Sequence, residues 1–580
     1  SHPTQVEIGA GEDRIWVVNT AGSPQAREVG AGRGPQWRPD GRAILYFAAG
    51  TGQWVEVALD TRPPVAKPVL AAARPPLSFK YAPDGKTIAL VRRDRGNRGN
   101  RHLWLFDPAS GPLKRLTSGP FSVVQFQWSP DSRQIVFSAT TPLGKEKELE
   151  GYVVELKSRR VSLLAPDGPR PVHSPRFTQE GTRVYYQTTD IPDPWQASKE
   201  FVAVHLASRQ VTRYPHTAEY DVVSVYGHSP TEDVLYFLAE YGVGYGLYKL
   251  HLKTAAVIPV LRGPEVREEY TFSSDFSKMA FSWETANQPP EIYVAATQQD
   301  PRAVTALNSE FKTLDLGSWE TVHWTGEDGT LLEGLLIKPV DYVKGRRYPL
   351  IVWLHGGPAS TFSNRFGTGT WAYPAQVLAG KGALVWMPNP RGSTGYGLAF
   401  RRALVERWGE IDYQDVMNGI AYLEKTLNVV DASRVGVAGW SYGGYLGGMM
   451  LARSAPVKAY SLGAGLYDLA TLHATIDIPD WLESYFKGTP KARPDLYQAC
   501  SSLPNLPTAL SPVLIQHGEK DSRVPVSQSR TLYEALRAKG CAVTYVEYKG
   551  EGHVPQSRAV KAASMAENVA WFSRHLGLKD

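Results

Sequence analysis

The 580-residue sequence has only two cysteines, Cys500 and Cys541, and this scarcity excludes a disulfide framework. One bridge could form if the fold brought the two residues together, but the sequence favours buried free thiols. The sequence also lacks a strong excess of one charge, because 63 basic and 57 acidic residues leave a formal net charge of only +6. We therefore expect no nucleic-acid partner.

One segment of the chain is nonetheless strongly basic. It could bind phosphate, but its interleaved Gly and Asn residues are typical of a solvated loop, which we favour. The cluster consists of Arg92, Arg93, Arg95, Arg98 and Arg101.

Long apolar runs are absent as well, since none reaches the roughly 18 residues that cross a bilayer. The N-terminus has neither a basic segment nor an apolar segment of the signal-peptide type, so we expect no membrane partner. The chain opens with Ser1-His2-Pro3, which also fits a processed mature protein. We expect a soluble protein, either cytoplasmic or, if a signal peptide was removed, periplasmic or secreted.

Glycine, proline and aromatic residues are plentiful. The 53 Gly and 43 Pro exceed average usage and indicate many turns, and an aromatic content of 11% excludes a disordered chain. A chain of this length is too long for one hydrophobic core, so it contains at least two domains.

A signature recurs through the first half of the chain: an aromatic residue, a turn containing Pro, Asp or Gly, and a short apolar strand. The clearest copy is Trp37-Arg38-Pro39-Asp40-Gly41, and the weaker late copies include one near His228 to Asp233. Starts at residues 37, 81, 128, 177, 228 and 272 give a period of 44 to 51 residues, which is that of a β-propeller blade. Six signatures, plus a strand at Arg14 to Asn19 before them, predict seven blades, with six or eight left open.

From about Leu316 the pattern changes to strands alternating with helices, which is typical of a mostly parallel sheet. We therefore predict two domains: an all-β propeller over residues 1–315 and an α/β domain over residues 316–580. Predicted strands are Tyr348 to Leu354, Ala383 to Met387, Arg434 to Ala438, Pro512 to Gln516 and Ala542 to Tyr548. Predicted helices are Asp415 to Leu427, Val526 to Ala538 and Arg558 to Leu576.

The segment Gly439-Trp440-Ser441-Tyr442-Gly443 follows an apolar strand and precedes a small-residue helix. This is the Gly-x-Ser-x-Gly nucleophile elbow, in which glycines flank a serine because the strand-to-helix turn is too tight for larger side chains. Ser441 is therefore the predicted nucleophile.

A serine nucleophile requires a base, and in this fold class the acid and then the histidine follow it along the chain. Asp521 and His553 each come just after a predicted strand, at the sheet edge where ligand sites gather. The rival residues have structural interpretations. His517 would make hydrogen bonds at a strand end, Asp468 would be a loop or cap residue, and Glu519 and Glu551 would be exposed loop charges.

An oxyanion hole needs two donors. The backbone N–H of Tyr442 is one by construction of the elbow, and the second should come from the loop His355-Gly356-Gly357-Pro358, where we expect the His355 side chain to be structural.

A propeller before an α/β-hydrolase, with Gly-Trp-Ser-Tyr-Gly-Gly-Tyr, His-Gly-Gly-Pro and Asn389-Pro390-Arg391-Gly392-Ser393, resembles the prolyl oligopeptidase family of serine peptidases, most nearly its acylaminoacyl-peptidase branch. The resemblance implies Ser441 as nucleophile, His553 as general base and Asp521 as its orienting acid. It also implies an oxyanion hole made by the Tyr442 and Gly357 amides.

For substrate binding, the resemblance implies that Arg523 binds a substrate carbonyl, although a structural salt bridge stays an alternative. Where relatives carry Asp-Trp, this chain has Asp468-Leu469, so a proline-stacking indole is not evident. Trp481, Tyr485 and Phe486 could line an apolar pocket beside Leu469, or pack in the core. Glu146, Glu148 and Glu150 do not match the acidic motif of dipeptidyl peptidases, which disfavours that activity.

The resulting hypothesis is a serine peptidase that cleaves short oligopeptides, N-acylated ones among them, through an acyl-enzyme, with the propeller restricting substrate size. A carboxylesterase with the same triad is the alternative, and an inactive propeller scaffold is a third. The mechanism requires no cofactor, and no His/Cys cluster has metal-ligand spacing. Homo-oligomerisation is left open.

Overall fold

The computed structural model describes most of the chain: residues 13–18, 26–48, 50–60, 65–71, 78–94, 100–108, 111–140, 149–189, 195–196, 198–296, 299–369, 372–508 and 510–579. Several residues named above lie outside these ranges, namely Ser1, His2, Pro3, Asn19, Arg95, Arg98, Glu146 and Glu148.

The first half of the chain is all β, as predicted, and forms six four-stranded antiparallel sheets after one two-stranded sheet. The two-stranded sheet pairs β1 (Arg14–Val18) with β2 (Ala26–Ala31). The strands of the first three larger sheets are β3 (Arg33–Trp37), β4 (Ala43–Ala48), β5 (Gln53–Ala58), β6 (Val65–Ala71); β7 (Ser78–Tyr81), β8 (Ile88–Arg93), β9 (Arg101–Phe106), β10 (Lys114–Arg115); β11 (Ser122–Trp128), β12 (Gln134–Thr140), β13 (Glu150–Glu155), β14 (Val161–Leu163). Those of the next three are β15 (His173–Phe177), β16 (Arg183–Thr188), β17 (Glu200–His205), β18 (Val211–Tyr214); β19 (Val222–His228), β20 (Val234–Tyr241), β21 (Gly244–His251), β22 (Val257–Leu261); β23 (Val266–Phe272), β24 (Lys278–Thr285), β25 (Gln288–Ala296), β26 (Arg302–Ala303).

Each recurring signature begins on the last residue of a blade's first strand, so one signature marks one blade. The aspartate shapes the turn: the carboxylate of Asp40 accepts a hydrogen bond from the backbone N–H of Arg42 (3.0 Å), and Asp131 accepts one from that of Arg133 (3.0 Å). Gly41 has φ +71°, a backbone conformation that residues with a side chain rarely adopt. The described residues thus form six complete blades, and the predicted seventh is represented by the two-stranded sheet alone.

The blades stack through hydrophobic clusters that each draw on successive sheets. Phe47 and Trp54 of the first blade pack against Phe79 and Tyr81 of the second, for example. A single blade has two apolar faces and cannot bury both alone, so side-by-side stacking is the arrangement that removes them from water.

The second half is an α/β domain built on one eight-stranded sheet in the order β27-β28-β30-β29-β31-β32-β33-β34. The pairs from β29 to β34 are parallel, whereas β27 and β28 run antiparallel at one edge. The strands are β27 (Trp319–Thr325), β28 (Leu331–Ile337), β29 (Tyr348–Leu354), β30 (Leu384–Asn389), β31 (Val430–Trp440), β32 (Ala459–Gly463), β33 (Val513–Gly518) and β34 (Val543–Tyr548). The helices are α1 (Ala375–Gly380), α2 (Leu398–Arg402), α3 (Ile411–Ala421), α4 (Tyr442–Ala452), α5 (Leu469–His473), α6 (Pro479–Phe486), α7 (Pro494–Ala499), α8 (Ser527–Ala538) and α9 (Arg558–Leu576).

Most predicted elements of this domain agree with the structure to within a few residues, and β29 and α9 agree at both ends. Strand β32 and helices α1, α2 and α5 to α7 were not predicted. The predicted helix Asp415 to Leu427 begins earlier, at Ile411, and ends in a π-helical turn over Tyr422–Thr426.

The propeller docks on the α/β domain through the turn between β20 and β21. The carbonyl of Val243 in this turn accepts a hydrogen bond from the N–H of Asn364 (2.7 Å), and its side chain joins the core of the α/β domain. Nearby, the carboxylate of Asp221 accepts hydrogen bonds from Arg401 (3.1 Å) and from the N–H of Gly395 (2.7 Å).

Both cysteines are free thiols, as the sequence favoured, but only Cys500 is buried and Cys541 is partly exposed. Among the described residues, no helix combines the length and the apolar character needed to cross a membrane.

Candidate active site

The strand β31 ends at Trp440 and the helix α4 begins at Tyr442, so Ser441 alone makes the turn between them. Its backbone has φ 61° and ψ −120°, a strained conformation for a residue with a side chain. A Cβ on Gly443 would lie 2.1 Å from the carbonyl oxygen of Leu354, and one on Gly439 would lie 2.3 Å from that of Gly443. The glycines therefore allow the turn, which lifts Ser441 to the carboxyl edge of the sheet.

Ser441, His553 and Asp521 form a continuous hydrogen-bonded chain. His553 Nε2 lies 3.0 Å from Ser441 Oγ, and His553 Nδ1 lies 2.7 Å from Asp521 Oδ2. Asp521 follows β33 and His553 follows β34, so three loops at one sheet edge bring together residues that are far apart in sequence.

Asp521 is fully buried as a side chain and is surrounded by donors. Its Oδ1 accepts hydrogen bonds from the backbone N–H groups of Arg523 and Val524 (both 2.9 Å). Burial alone would raise the pKa of Asp521, but hydrogen bonds from His517 and His553 outweigh burial and lower this pKa to about 2. The carboxylate is therefore ionised at neutral pH and holds the ring of His553 from behind.

His517 supports this carboxylate rather than competing with His553. Its Nε2 lies 3.1 Å from Asp521 Oδ2 and 2.8 Å from the carbonyl oxygen of Val524, while its Nδ1 lies 2.7 Å from Ser529 Oγ. Its side chain is completely buried. The sequence predicted that His517 makes hydrogen bonds at a strand end, but it did not reveal that one partner is Asp521, the predicted orienting acid.

The other rival acids also have structural roles. Asp468 caps helix α5, accepting from the N–H groups of Ala470 and Thr471. Glu551 was expected to be an exposed loop charge, but it is buried. Its carboxylate accepts hydrogen bonds from the backbone N–H groups of Gln556 (2.7 Å) and Ser557 (3.2 Å) before α9, which compensate for the burial.

The loop after β29 lies against Ser441. A Cβ on Gly356 would lie 3.4 Å from Ser441 Cβ, and Gly357 has φ +125°, which favours glycine. His355 lies 2.9 Å from Ser393 Oγ through Nε2, and burial lowers the pKa of its imidazole to about 4. The His355 side chain is thus neutral and held within the protein.

Behind the elbow, the Tyr442 side chain is anchored in an aromatic cluster that the sequence did not reveal. Its hydroxyl donates to Asp412 Oδ2 (2.7 Å), and its ring packs edge-on against Trp408, with centroids 4.8 Å apart. Trp408 in turn contacts Trp481 at 5.1 Å. Burial raises the pKa of Asp412 to about 7. No local motif marks Asp412 or Trp408, because only the fold brings α3 against α4.

The predicted substrate-binding residues have different surroundings. Tyr485 and Leu469 have no exposed surface and pack in the domain core, whereas Trp481 is partly exposed. The guanidinium of Arg523 is about half exposed and pairs with Asp477 at 2.8 Å. Tyr485 and Leu469 therefore offer no surface to a substrate in this conformation, and Trp481 and Arg523 do.

A cavity of about 340 Å³ lies between the two domains, next to the elbow. The α/β domain contributes Gly356, Trp440 and Arg365 to its walls, and the propeller contributes Glu240 and Tyr245. Within the described part of the chain, no three His, Cys, Asp or Glu side chains are grouped to hold a metal ion.

Comparison with known proteins identifies relatives of this chain. Residues 371–579 match the profile of the prolyl oligopeptidase family. The chain is 26% identical to an uncharacterized peptidase of Bacillus subtilis, YuxL, over 97% of this chain and 86% of that protein. It is 24% identical to dipeptidyl-peptidase 5 of Porphyromonas gingivalis, over 77% and 65% of the two chains. The structure of Pyrococcus horikoshii acylaminoacyl peptidase superposes with a TM-score of 0.78 at 22% identity, over 97% of this chain and 92% of that chain.

A β-propeller joined to an α/β-hydrolase domain, with a serine at the elbow, defines a propeller-bearing serine hydrolase. The match of residues 371–579 to the prolyl oligopeptidase family, together with the peptidase relatives, indicates that the chain is a serine peptidase.

Proposed function

We propose that the chain hydrolyses short peptides through an acyl-enzyme on Ser441. The observation that carries this proposal is the hydrogen-bonded chain from Ser441 Oγ through His553 to Asp521. His553 takes the hydroxyl proton as Ser441 Oγ attacks the scissile carbonyl, and then gives that proton to the leaving amine as the C–N bond breaks. Water repeats the sequence on the ester, releasing the acid and restoring the Ser441 hydroxyl.

The two tetrahedral intermediates carry a negative oxygen that needs donors. The backbone N–H groups of Tyr442 and Gly357 are the proposed donors, because Tyr442 opens helix α4 and the Gly356-Gly357 backbone lies beside Ser441. The positive end of the α4 dipole adds to this stabilisation.

Trp481 and Arg523 are the proposed contacts with the acyl part of the substrate. Tyr485 and Leu469 would support the wall of this pocket from the domain core. The Trp408–Trp481 aromatic cluster abuts Tyr442, so an apolar substrate side chain would lie near the proposed oxyanion donor. Arg523 would bind a substrate carbonyl, which requires it to leave or share its pairing with Asp477.

The propeller restricts the substrate to short peptides in this proposal, because it covers the face of the α/β domain beside the elbow. N-acylated peptides are included because the Pyrococcus horikoshii protein of the same fold is an acylaminoacyl peptidase.

The test compares three substrate sets on purified protein: acetylated and free-amine peptide anilides with the same sequence, peptides of increasing length, and simple aryl esters. We expect turnover of acetylated short peptides and a sharp decline with length. A fluorophosphonate probe should label the protein, and Ser441→Ala should lose both the labelling and the activity while keeping its unfolding temperature.

Activity confined to aryl esters would contradict the peptidase proposal in favour of a carboxylesterase. Labelling that persists in Ser441→Ala would contradict the assignment of the nucleophile.

A further inference from the structure

The cavity between the domains is lined by residues next to Ser441, the proposed nucleophile. Gly356 and Trp440 both line it, and these two residues lie directly against Ser441, one beside its side chain and the other before it in sequence. The propeller residues Glu240 and Tyr245 form the opposite wall. A group attached to the reacting carbonyl therefore has room to extend toward the propeller.

One wall residue of the cavity, Trp440, is hydrogen-bonded to the loop that carries His553. The indole N–H of Trp440 donates to the backbone carbonyl of His553 (2.9 Å), which joins this wall to the histidine loop. In the proposed mechanism His553 protonates the leaving amine, so the leaving part of the substrate must lie on that side. The aromatic cluster around Trp408 instead contacts Tyr442, beyond the other flank of the serine.

Glu240 has an unsatisfied carboxyl oxygen at this wall. Its Oε2 is buried without a hydrogen bond of good geometry among the residues that the structure describes, although the Thr394 hydroxyl is close enough to lower the pKa of this carboxyl. The side chain is held in place, because Glu240 is opposite Tyr245 in the β20–β21 pair and its Cβ lies 3.4 Å from where a Cβ on Gly395 would be. A buried acceptor without a donor is costly unless a ligand supplies one.

The charges around Glu240 favour a cation. Burial raises the pKa of Glu240 to about 7, with Asp221 and Glu268 raising it further and Thr394 and Arg401 opposing them. Arg401 pairs with Asp221 at 3.1 Å. The neighbouring cation on the cavity wall, Arg365, is shared between Glu268 at 2.7 Å and Glu284 at 2.9 Å.

These pairings leave the wall with more negative than positive charge. One guanidinium, that of Arg365, is surrounded by two carboxylates in addition to the nearby Glu240. His355 also lines the cavity, but burial lowers the pKa of its imidazole to about 4, so it adds no positive charge at neutral pH.

We propose that this cavity is the leaving-group subsite and that Glu240 binds the cationic side chain of a lysine or arginine within two residues after the scissile bond. The inference rests on the proposed peptidase function, since an ester or anilide has no such residue. It makes Glu240 a determinant of which peptides are cleaved, with no role in the bond-breaking steps.

The experiment uses one acyl group throughout, acetyl-Gly-Gly-Phe, followed by a variable residue and alaninamide. Lysine, arginine, norleucine and glutamate are placed at the first and then at the second position after phenylalanine, and kcat/KM is measured for each. We expect lysine and arginine to exceed norleucine by roughly tenfold at one of the positions, and glutamate to be poorer than norleucine.

Glu240→Gln keeps the side-chain shape and removes the charge, so it should bring the lysine-to-norleucine ratio close to one. Glu232→Gln is the matched control, because Glu232 belongs to the same blade but is exposed and pairs with Lys249. That variant should keep the wild-type ratio. Since the ratio compares two substrates of one protein, a general loss of activity does not affect it.

Four other results are decisive. A wild-type lysine-to-norleucine ratio near one, or a ratio unchanged by Glu240→Gln, overturns the inference about Glu240. The peptidase proposal still stands in that case if acetyl-Gly-Gly-Phe anilide and the peptides are cleaved. If Glu240→Gln instead impairs only substrates with a free N-terminal amine, the cation that Glu240 binds is on the acyl side, and the leaving-group assignment is wrong. Turnover of esters alone defeats the proposed function itself.

Discussion

The indole nitrogen of Trp440 donates a hydrogen bond to the backbone carbonyl of His553 at 2.9 Å, and this bond ties the strand before the nucleophile to the loop that carries the proposed base. Trp440 is the last residue of β31 and His553 lies in the loop after β34, so the two residues approach Ser441 from different strands. The bond therefore fixes the distance between serine and histidine independently of the bond from Asp521.

Trp440→Phe removes this bond and keeps an aromatic ring. Because a loosened histidine loop misplaces the base, we expect kcat on a peptide anilide to fall about tenfold with a smaller change in KM. Trp571→Phe is the control, since the Trp571 indole is distant in sequence and its nitrogen has no hydrogen-bond partner among the described residues. Equal kcat values in the two variants would show that the bond does not position His553.

Gly443→Ala should abolish activity and destabilise the α/β domain. The added Cβ would lie 2.1 Å from the Leu354 carbonyl oxygen. The clash can be relieved only if the backbone of the elbow or of β29 moves. Gly380→Ala is the matched control, because Gly380 ends helix α1 and a Cβ added there would meet no atom within 4 Å outside its own helix turn and chain neighbours. The unfolding temperatures should separate the two variants clearly, and similar values would contradict the steric argument.

The hydrogen-bonded grouping of Ser441, His553 and Asp521 was predictable because each residue belongs to a local pattern, a strand followed by a polar residue at a known position in the chain order. The propeller was predictable for the same reason, since Asp40 and its counterparts shape the turn that follows each first strand. Both ends of helix α9 (Arg558–Leu576) were predicted correctly. The helix is long and is followed directly by Gly577, whose φ of +60° ends it.

What the sequence did not reveal depends on contacts between distant segments. Asp412 acquires its role only when α3 packs on α4, and Glu240 faces the catalytic domain only because the β20–β21 turn inserts there. Strand β32 was missed because Ala459–Gly463 is short and carries Ser461, whose burial requires Asn568 of α9 as a partner at 2.5 Å.

Asp521 should make the folded state less stable in acid. Its pKa in the fold is about 2, below the ordinary value of 3.8, so the carboxylate stabilises the fold above pH 4 and this contribution is lost as the pH falls through about 2. The shift corresponds to roughly 2 kcal/mol. Urea unfolding of wild type and Asp521→Asn from pH 6 downward should show a gap that narrows in acid, whereas a constant gap would contradict the lowered pKa.

Asp412 should have the opposite effect. Burial raises its pKa to about 7, so the folded protein holds a proton that the unfolded chain releases, and stability declines as the pH rises from about 4 to about 7. Asp412→Asn cannot ionise and its amide oxygen can still accept from Tyr442. We expect the variant to gain stability relative to wild type between pH 5 and pH 8, measured by unfolding temperature. A relative loss over that range would show that Asp412 is ionised in the fold.

Asp221 is the residue on which the proposed size restriction can be tested. Its carboxylate accepts from Arg401 (3.1 Å) and from the N–H of Gly395 (2.7 Å), so it joins the propeller to the α/β domain, and Asp221→Asn weakens both bonds. If docking of the propeller excludes long peptides, the variant should keep its activity on short anilides, become more sensitive to limited proteolysis and cleave long peptides relatively faster. Asp233→Asn, which removes an ion pair with Arg183 inside the propeller, should leave the length dependence as in wild type. A variant that is proteolysed more readily yet shows an unchanged length limit would mean that the opening of the propeller itself, and not its docking, sets the size of the substrate.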